Sequence, residues 1–125
     1  MYGLKNRYLW SYITLIMSLS DFFSPVNLDA LTPKQGFYNS QLGLKAAFYT
    51  KDFPQLVENA YDIAIFGVLD DRAAVNNNGC ALGPDYFRSQ FYALHEGNFK
   101  SRIIDLGNIK AGAAISDTYV AVKTV

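Results

Sequence analysis

Two apolar runs constrain this chain more than anything else in it. Asp62-Ile63-Ala64-Ile65-Phe66-Gly67-Val68 and Arg102-Ile103-Ile104-Asp105-Leu106-Gly107 are each nearly continuous in aliphatic and aromatic residues. Runs of this length without polar alternation predict strands covered on both faces, as in a parallel sheet. Between them, Asp70–Gly83 reads as a loop centred on Asn76-Asn77-Asn78-Gly79. Gly83-Pro84-Asp85 then predicts a helix start, because proline is pre-set for the first turn and Asp85 suits the positive helix end. Phe87, Phe91 and Leu94 recur at helical spacing, and Gly97 is the expected stop. Ser116-Asp117-Thr118 offers a cap for a helix over Tyr119–Val125. The order strand, loop, helix, strand, loop, helix predicts an α/β chain, the first strands and helices of a doubly wound parallel sheet that is itself incomplete.

The first half is less regular. Ser20 or Asp21 is expected to cap a short helix that Pro25 stops; within Leu28–Gly36, Thr32-Pro33 is expected to start a second with Pro33 at its first position, a very short turn that Gly36 ends. Leu44, Ala46 and Phe48 alternate with Lys45, Ala47 and Tyr49, which predicts a strand over Leu42–Thr50, punctuated by Asp52-Phe53-Pro54. Residues 1–16 stand apart: Lys5 and Arg7 are their only charges, and Tyr8–Ile16 is apolar. The leading reading is an upstream extension from a start assigned too early, with Met17 as the true beginning. A secretory or membrane-surface segment and an ordinary N-terminal element are the alternatives. The expected organisation is therefore 1–16 as an extension, 17–60 as an N-terminal segment, and 61–125 as an α/β unit.

Composition excludes several function classes. At 125 residues, 50% apolar and 18% charged, the chain can bury a core and is not a disordered segment. Eleven basic residues balance eleven acidic ones, so a nucleic-acid binder relying on phosphate neutralisation is not expected. A single cysteine, Cys80, excludes an internal disulfide framework, and a single histidine, His95, excludes a histidine-rich metal site. Location is expected to be cytoplasmic, with no membrane partner.

Candidate site residues gather after the two strands, where ligands of open α/β sheets collect. Asp70, Asp71 and Asp105 could hold Mg²⁺ or Mn²⁺, or else serve as solvated turn residues and loop caps. Arg72 could grip a substrate carboxylate with two parallel hydrogen bonds, or hold a structural partner. Gly79-Cys80-Ala81-Leu82-Gly83 lacks both the dinucleotide spacing and the phosphate-loop lysine. Cys80 is expected to be a small packed thiol, and His95 to lie at a helix end.

Three pieces in order carry a resemblance: Asp62–Val68 ending in Gly67-Val68, then Asn78-Gly79-Cys80-Ala81-Leu82-Gly83-Pro84-Asp85-Tyr86-Phe87-Arg88, then Ile104-Asp105-Leu106-Gly107-Asn108-Ile109. Together they resemble the N-terminal part of the arginase/agmatinase/formimidoylglutamase (ureohydrolase) family over Asp62–Val125. Asp21–Asn59 is similar to the N-terminal segment of a formimidoylglutamase-like branch. The resemblance implies an arginase-like α/β fold around two manganese ions, which activate a hydroxide for attack on a linear amidine or guanidine such as formimidoylglutamate, arginine or agmatine. It implies that Arg72 and Asn76 grip the amino-acid end of the substrate, although Cys80 stands where relatives commonly carry arginine. The family's metal ligands sit on Gly-Gly-x-His, Asp-x-His-x-Asp and Asp-x-Asp-x-x-Asp-Pro runs, none of which occurs here. The expectation is an N-terminal fragment that is inactive alone, with no cofactor of its own, and a homo-oligomer is the partner considered. The alternative is a stand-alone, non-catalytic α/β binding or interaction module.

Overall fold

A computed structural model describes residues 18–98 and 100–125. The expected extension at 1–16 lies outside the described residues. In chain order the elements are β1 (Phe23–Ser24), α1 (Leu28–Leu31), α2 (Leu42–Lys45), β2 (Ala47–Phe48), β3 (Ile63–Val68), α3 (Gly83–Phe91), β4 (Ile103–Ile109) and α4 (Ile115–Thr124). Short 3-10 turns at Leu19–Phe22 and Cys80–Leu82 precede β1 and α3.

β4 organises the sheet. It pairs in parallel with β3 from Ile63↔Ile103 to Val68↔Ile109, which occupies one of its edges. The other edge is shared end to end. β2 runs parallel against Ile104 and Asp105, and β1 runs antiparallel against Asn108 and Ile109. Val26 N donates to Tyr49 O (2.8 Å), joining the two short strands' followers across that edge. The chain is thus an α/β protein with a four-stranded mixed sheet rather than the all-parallel one expected.

A bulge in β4 decides what faces where. Between the pairs Ile65↔Asp105 and Gly67↔Asn108, two steps along β3 match three along β4, so β4 carries one extra residue. In a regular strand residues three apart point to opposite faces. Past the bulge the alternation is reset. Ile104, Leu106 and Ile109 join one cluster with Phe23 and with Ala121 of α4. Asp105 and Asn108 instead both meet Arg88 of α3. Helices therefore cover both faces of β4, and all seven of its residues are buried.

Gly107 makes the bulge possible. Its φ of 80° lies in the left-handed region, and a Cβ there would collide with the Ser24 carbonyl oxygen of β1.

β3 departs from its expected burial. Only Gly67 is buried, while Ile63 and Phe66 are 44% and 40% exposed. Among the described residues β3 has no partner on its far edge, so water reaches side chains that a flanking strand would cover.

Five local expectations are corrected. Ser18 caps the first turn, its N–H donating to Asp21 Oδ2 (2.9 Å), where Ser20 or Asp21 was the expected cap. Asn27 caps α1 through Ala30 N (3.2 Å), so Thr32-Pro33 follows that helix rather than starting one; Gly36 still closes the next turn onto Pro33 O. Leu42–Thr50 is not one strand: Leu42–Lys45 is a helical turn and only Ala47–Phe48 pairs, so the apparent alternation spans two elements. α3 stops at Phe91 with Tyr92 as its cap, well before Gly97, and Ala114 rather than Ser116 precedes α4.

Gly107→Ala is expected to cost about 2 kcal/mol or more of unfolding free energy, because it adds positive-φ strain to a backbone collision. Urea unfolding followed by circular dichroism measures this, and an unchanged midpoint would contradict it.

Candidate functional site

A buried ion pair joins α3 to the central strand. Arg88 is 1% exposed, an uncommon state for arginine, and every one of its donors is engaged. Nε and Nη2 donate to the two oxygens of Asp105 (2.8 and 2.9 Å), Nη2 also to Gly107 O (2.7 Å), and Nη1 to Asn108 Oδ1 (2.7 Å). A longer contact from Nη1 reaches Asp85 Oδ1 at 3.5 Å. Asp105, fully buried, also accepts from Tyr92 Oη (2.5 Å) and Gly107 N (2.9 Å). Among the described residues no buried side-chain polar atom lacks a partner. Burial, then the hydrogen bond to Asp105 and its charge, push the Tyr92 phenol well above the usual tyrosine range. The apolar stripe expected to anchor α3 is partly solvent-facing, with Phe87 51% and Leu94 56% exposed. Arg88 and Tyr92 face the sheet instead.

The loop after β3 is organised by a second arginine. Arg72 Nε and Nη2 donate to Asp70 Oδ1 and Oδ2 (2.9 and 2.6 Å), Nη2 also to Thr118 Oγ1 (3.2 Å), and Nη1 to Ala113 O (3.0 Å). Thr118 Oγ1 in turn donates to Asp70 Oδ2 (3.0 Å) and accepts from Gly112 N (3.0 Å). The Arg72 hydrogen bonds hold the Asp70 carboxyl well below the usual carboxylate range, against the cost of desolvation. Beside this network lies a groove of about 370 Å³ between the loop and α4, with Val68, Asp70, Ala74, Thr118 and Tyr119 in its lining.

The expected site residues are thus placed as follows. Arg72 lies beside the groove rather than in its lining, with its two-pronged edge taken by Asp70 and one Nη1 hydrogen left outside these bonds. Asn76 is exposed on the same loop at φ 57°, and no hydrogen bond joins it to Arg72. Asp71 accepts from Gly79 N (2.7 Å). Cys80 is exposed rather than packed. His95 lies beyond the end of α3, with Nδ1 2.6 Å from Ser40 Oγ.

The cation site considered for Asp70, Asp71 and Asp105 does not form. Asp105 is turned to α3 and saturated by Arg88, Tyr92 and Gly107 N, while Asp70 is saturated by Arg72 and Thr118. Among the described residues no three His, Cys, Asp or Glu side chains gather to hold a metal ion. The donor set among the described residues does not fit a manganese pair. Thr118 and Tyr92 belong to these two networks without having been singled out as site residues from the sequence. The spacing of Tyr92 four residues after Arg88 was the available signal, whereas Thr118 gave none, since its partners lie 46 and 48 residues away.

No family model, curated protein sequence or solved structure matches this chain. No helix among the described residues is long and apolar enough to cross a membrane.

Arg88→Ala is expected to destabilise the fold by about 3–5 kcal/mol, because it strands a buried carboxylate. Replacing Arg88 and Asp105 together by apolar residues of similar volume should recover much of that loss, and denaturant titration of the three proteins distinguishes the cases. A third ion pair gives a pH signature. Arg102 Nη2 and Nε bond both oxygens of Asp62 (2.8 and 3.1 Å), and these hydrogen bonds lower the Asp62 pKa to about 2. A depressed carboxyl stabilises the fold above its unfolded value and loses that contribution as pH falls through about 2. Asp62→Asn should therefore flatten the acid limb of the stability profile between pH 4 and 2.

Proposed function

We propose that this chain is the N-terminal α/β part of a manganese-dependent hydrolase of the ureohydrolase type, which as a whole cleaves a C–N bond of a linear amidine or guanidine. Formimidoylglutamate, arginine and agmatine are the substrate candidates. In this reading the sheet is the opening portion of a doubly wound, arginase-like sheet, the protein works in the cytoplasm, and a homo-oligomer is its assembled form. The chain's own residues build the floor of the site and contribute to substrate recognition through Arg72 and Asn76, while residues elsewhere in the protein hold the metals.

The supporting observation is that the three sequence pieces behind the resemblance converge in space. A Cβ on Gly67, from the first piece, would overlap Asn108 Oδ1, from the third, and would lie 2.7 Å from Pro84 Cβ, from the second. Arg88, closing the second piece, binds Asp105, Gly107 and Asn108 of the third. Such a close junction gives a physical reason for glycine, proline and arginine at these spacings.

The open edge of β3 and the exposed Ile63, Phe66 and Phe87 beside it favour a second reading, a stand-alone binding or interaction module that uses this edge. Coding sequence past Val125 separates the two. An Asp-x-His-x-Asp segment in the same or a shifted frame is expected, and its absence from every frame would count heavily against the hydrolase. The purified chain is expected to show no hydrolysis of the three substrates with Mn²⁺ present. Turnover abolished by a chelator would overturn the division of labour proposed here. A soluble monomer or dimer on size exclusion favours the module, and aggregation favours the hydrolase part.

A further inference from the structure

We propose that Asn78 is a covalent modification site, converted by intramolecular deamidation at a rate governed by Asp71. Asn78-Gly79 is the one Asn-Gly pair in the sequence. Asparagine followed by glycine deamidates most readily, because no side chain hinders the following backbone nitrogen. In the reaction the Gly79 nitrogen bonds to Asn78 Cγ, the Cγ–Nδ2 bond breaks, and the Gly79 proton leaves with departing ammonia. Water then opens the imide to aspartate or isoaspartate.

The loop places this pair in the open. Asn78 and Gly79 are exposed, and the space that a Gly79 Cβ would occupy has no atom within 4 Å. Two restraints nonetheless hold the reacting nitrogen away from its target. Gly79 N donates to Asp71 Oδ2 at 2.7 Å. Gly79 also has φ 92° and ψ −3°, with Cys80 N donating to Asn77 O (3.3 Å), the geometry of a type II turn with Asn78 at its second position. Ring closure requires the nitrogen to swing onto Cγ, which opens the turn and breaks the bond to Asp71.

Deamidation has local consequences. The imide nitrogen carries no hydrogen, so the tie to Asp71 is lost on closure. Hydrolysis then adds a negative charge, and in the isoaspartate product an extra backbone carbon, to the loop that also carries Asp70, Arg72 and Asn76.

The test incubates the full chain at neutral pH and follows the mass gain of an amide-to-acid conversion by peptide mapping, with Asn76 and Asn77 as internal controls. Asp71→Ala is expected to speed conversion at Asn78 about tenfold, the effect of removing one charge-assisted hydrogen bond that must break before closure. Asp71→Asn, whose side-chain oxygen still accepts from Gly79 N but without the charge, should fall between the wild-type and Asp71→Ala rates. Wild-type chain in urea, where the loop is released, should convert faster than the folded chain. Equal rates for wild type and Asp71→Ala, or equal rates in the folded and urea-treated chain, would overturn the proposal. The second comparison decides the matter even if Asp71→Ala fails to fold.

Discussion

The guanidinium of Arg88 inside the protein is the constraint from which most of this architecture follows. A buried charge is tolerable only with an opposite charge and a full set of hydrogen bonds around it. Asp105 provides the charge, while Gly107 O and Asn108 Oδ1 provide acceptors in front of the remaining donors. These acceptors stand on one face only because β4 carries an extra residue between Asp105 and Asn108. Helix α3, the bulge, the positive φ of Gly107 and the antiparallel docking of β1 are thus one interlocked solution. The ion pair is better understood as fixing which arrangement is adopted than as adding net stability. An apolar replacement of similar volume would satisfy the same space without specifying the register.

Arginine carries the polar structure at three places, each with a different exposure. Arg88 is buried and binds α3 to the central strand. Arg72, about two-fifths exposed, binds the loop after β3 to the start of α4 through Asp70 and Thr118. Arg102 is more than half exposed and ties the starts of β3 and β4 through Asp62 and the Asn59 carbonyl. The first of these is sealed from solvent. The second orders the loop beside the groove, and the third is the most easily screened by salt.

The strands β3 and β4 were legible because apolar runs of that length have few other structural uses, and the start of α3 was legible because Gly83-Pro84 leaves the chain little choice. The end of α3 was not. Gly97 looked like the stop, but Arg88 and Tyr92 anchor the last turn, and the chain departs once they are placed. The burial of Arg88 could not be read from the sequence, since its partners are 17 to 20 residues away and set by a bulge that no local pattern announces. Leu42–Thr50 misled for another reason. A single helical turn followed by two paired residues imitates strand alternation when it is read as one piece. Of the candidate site, Asp70 and Arg72 were visible as polar residues after a strand, but their engagement with each other and with Thr118 depends on where α4 comes to rest.

Thr118 carries a wider consequence. One hydroxyl in the first turns of α4 bonds at once to the strand-end carboxylate, to the Arg72 side chain and to the Gly112 amide. The position of α4 and the aim of Arg72 are therefore tied to a single atom, and a turn of the helix about its axis would withdraw that hydroxyl from Asp70 and Arg72 together.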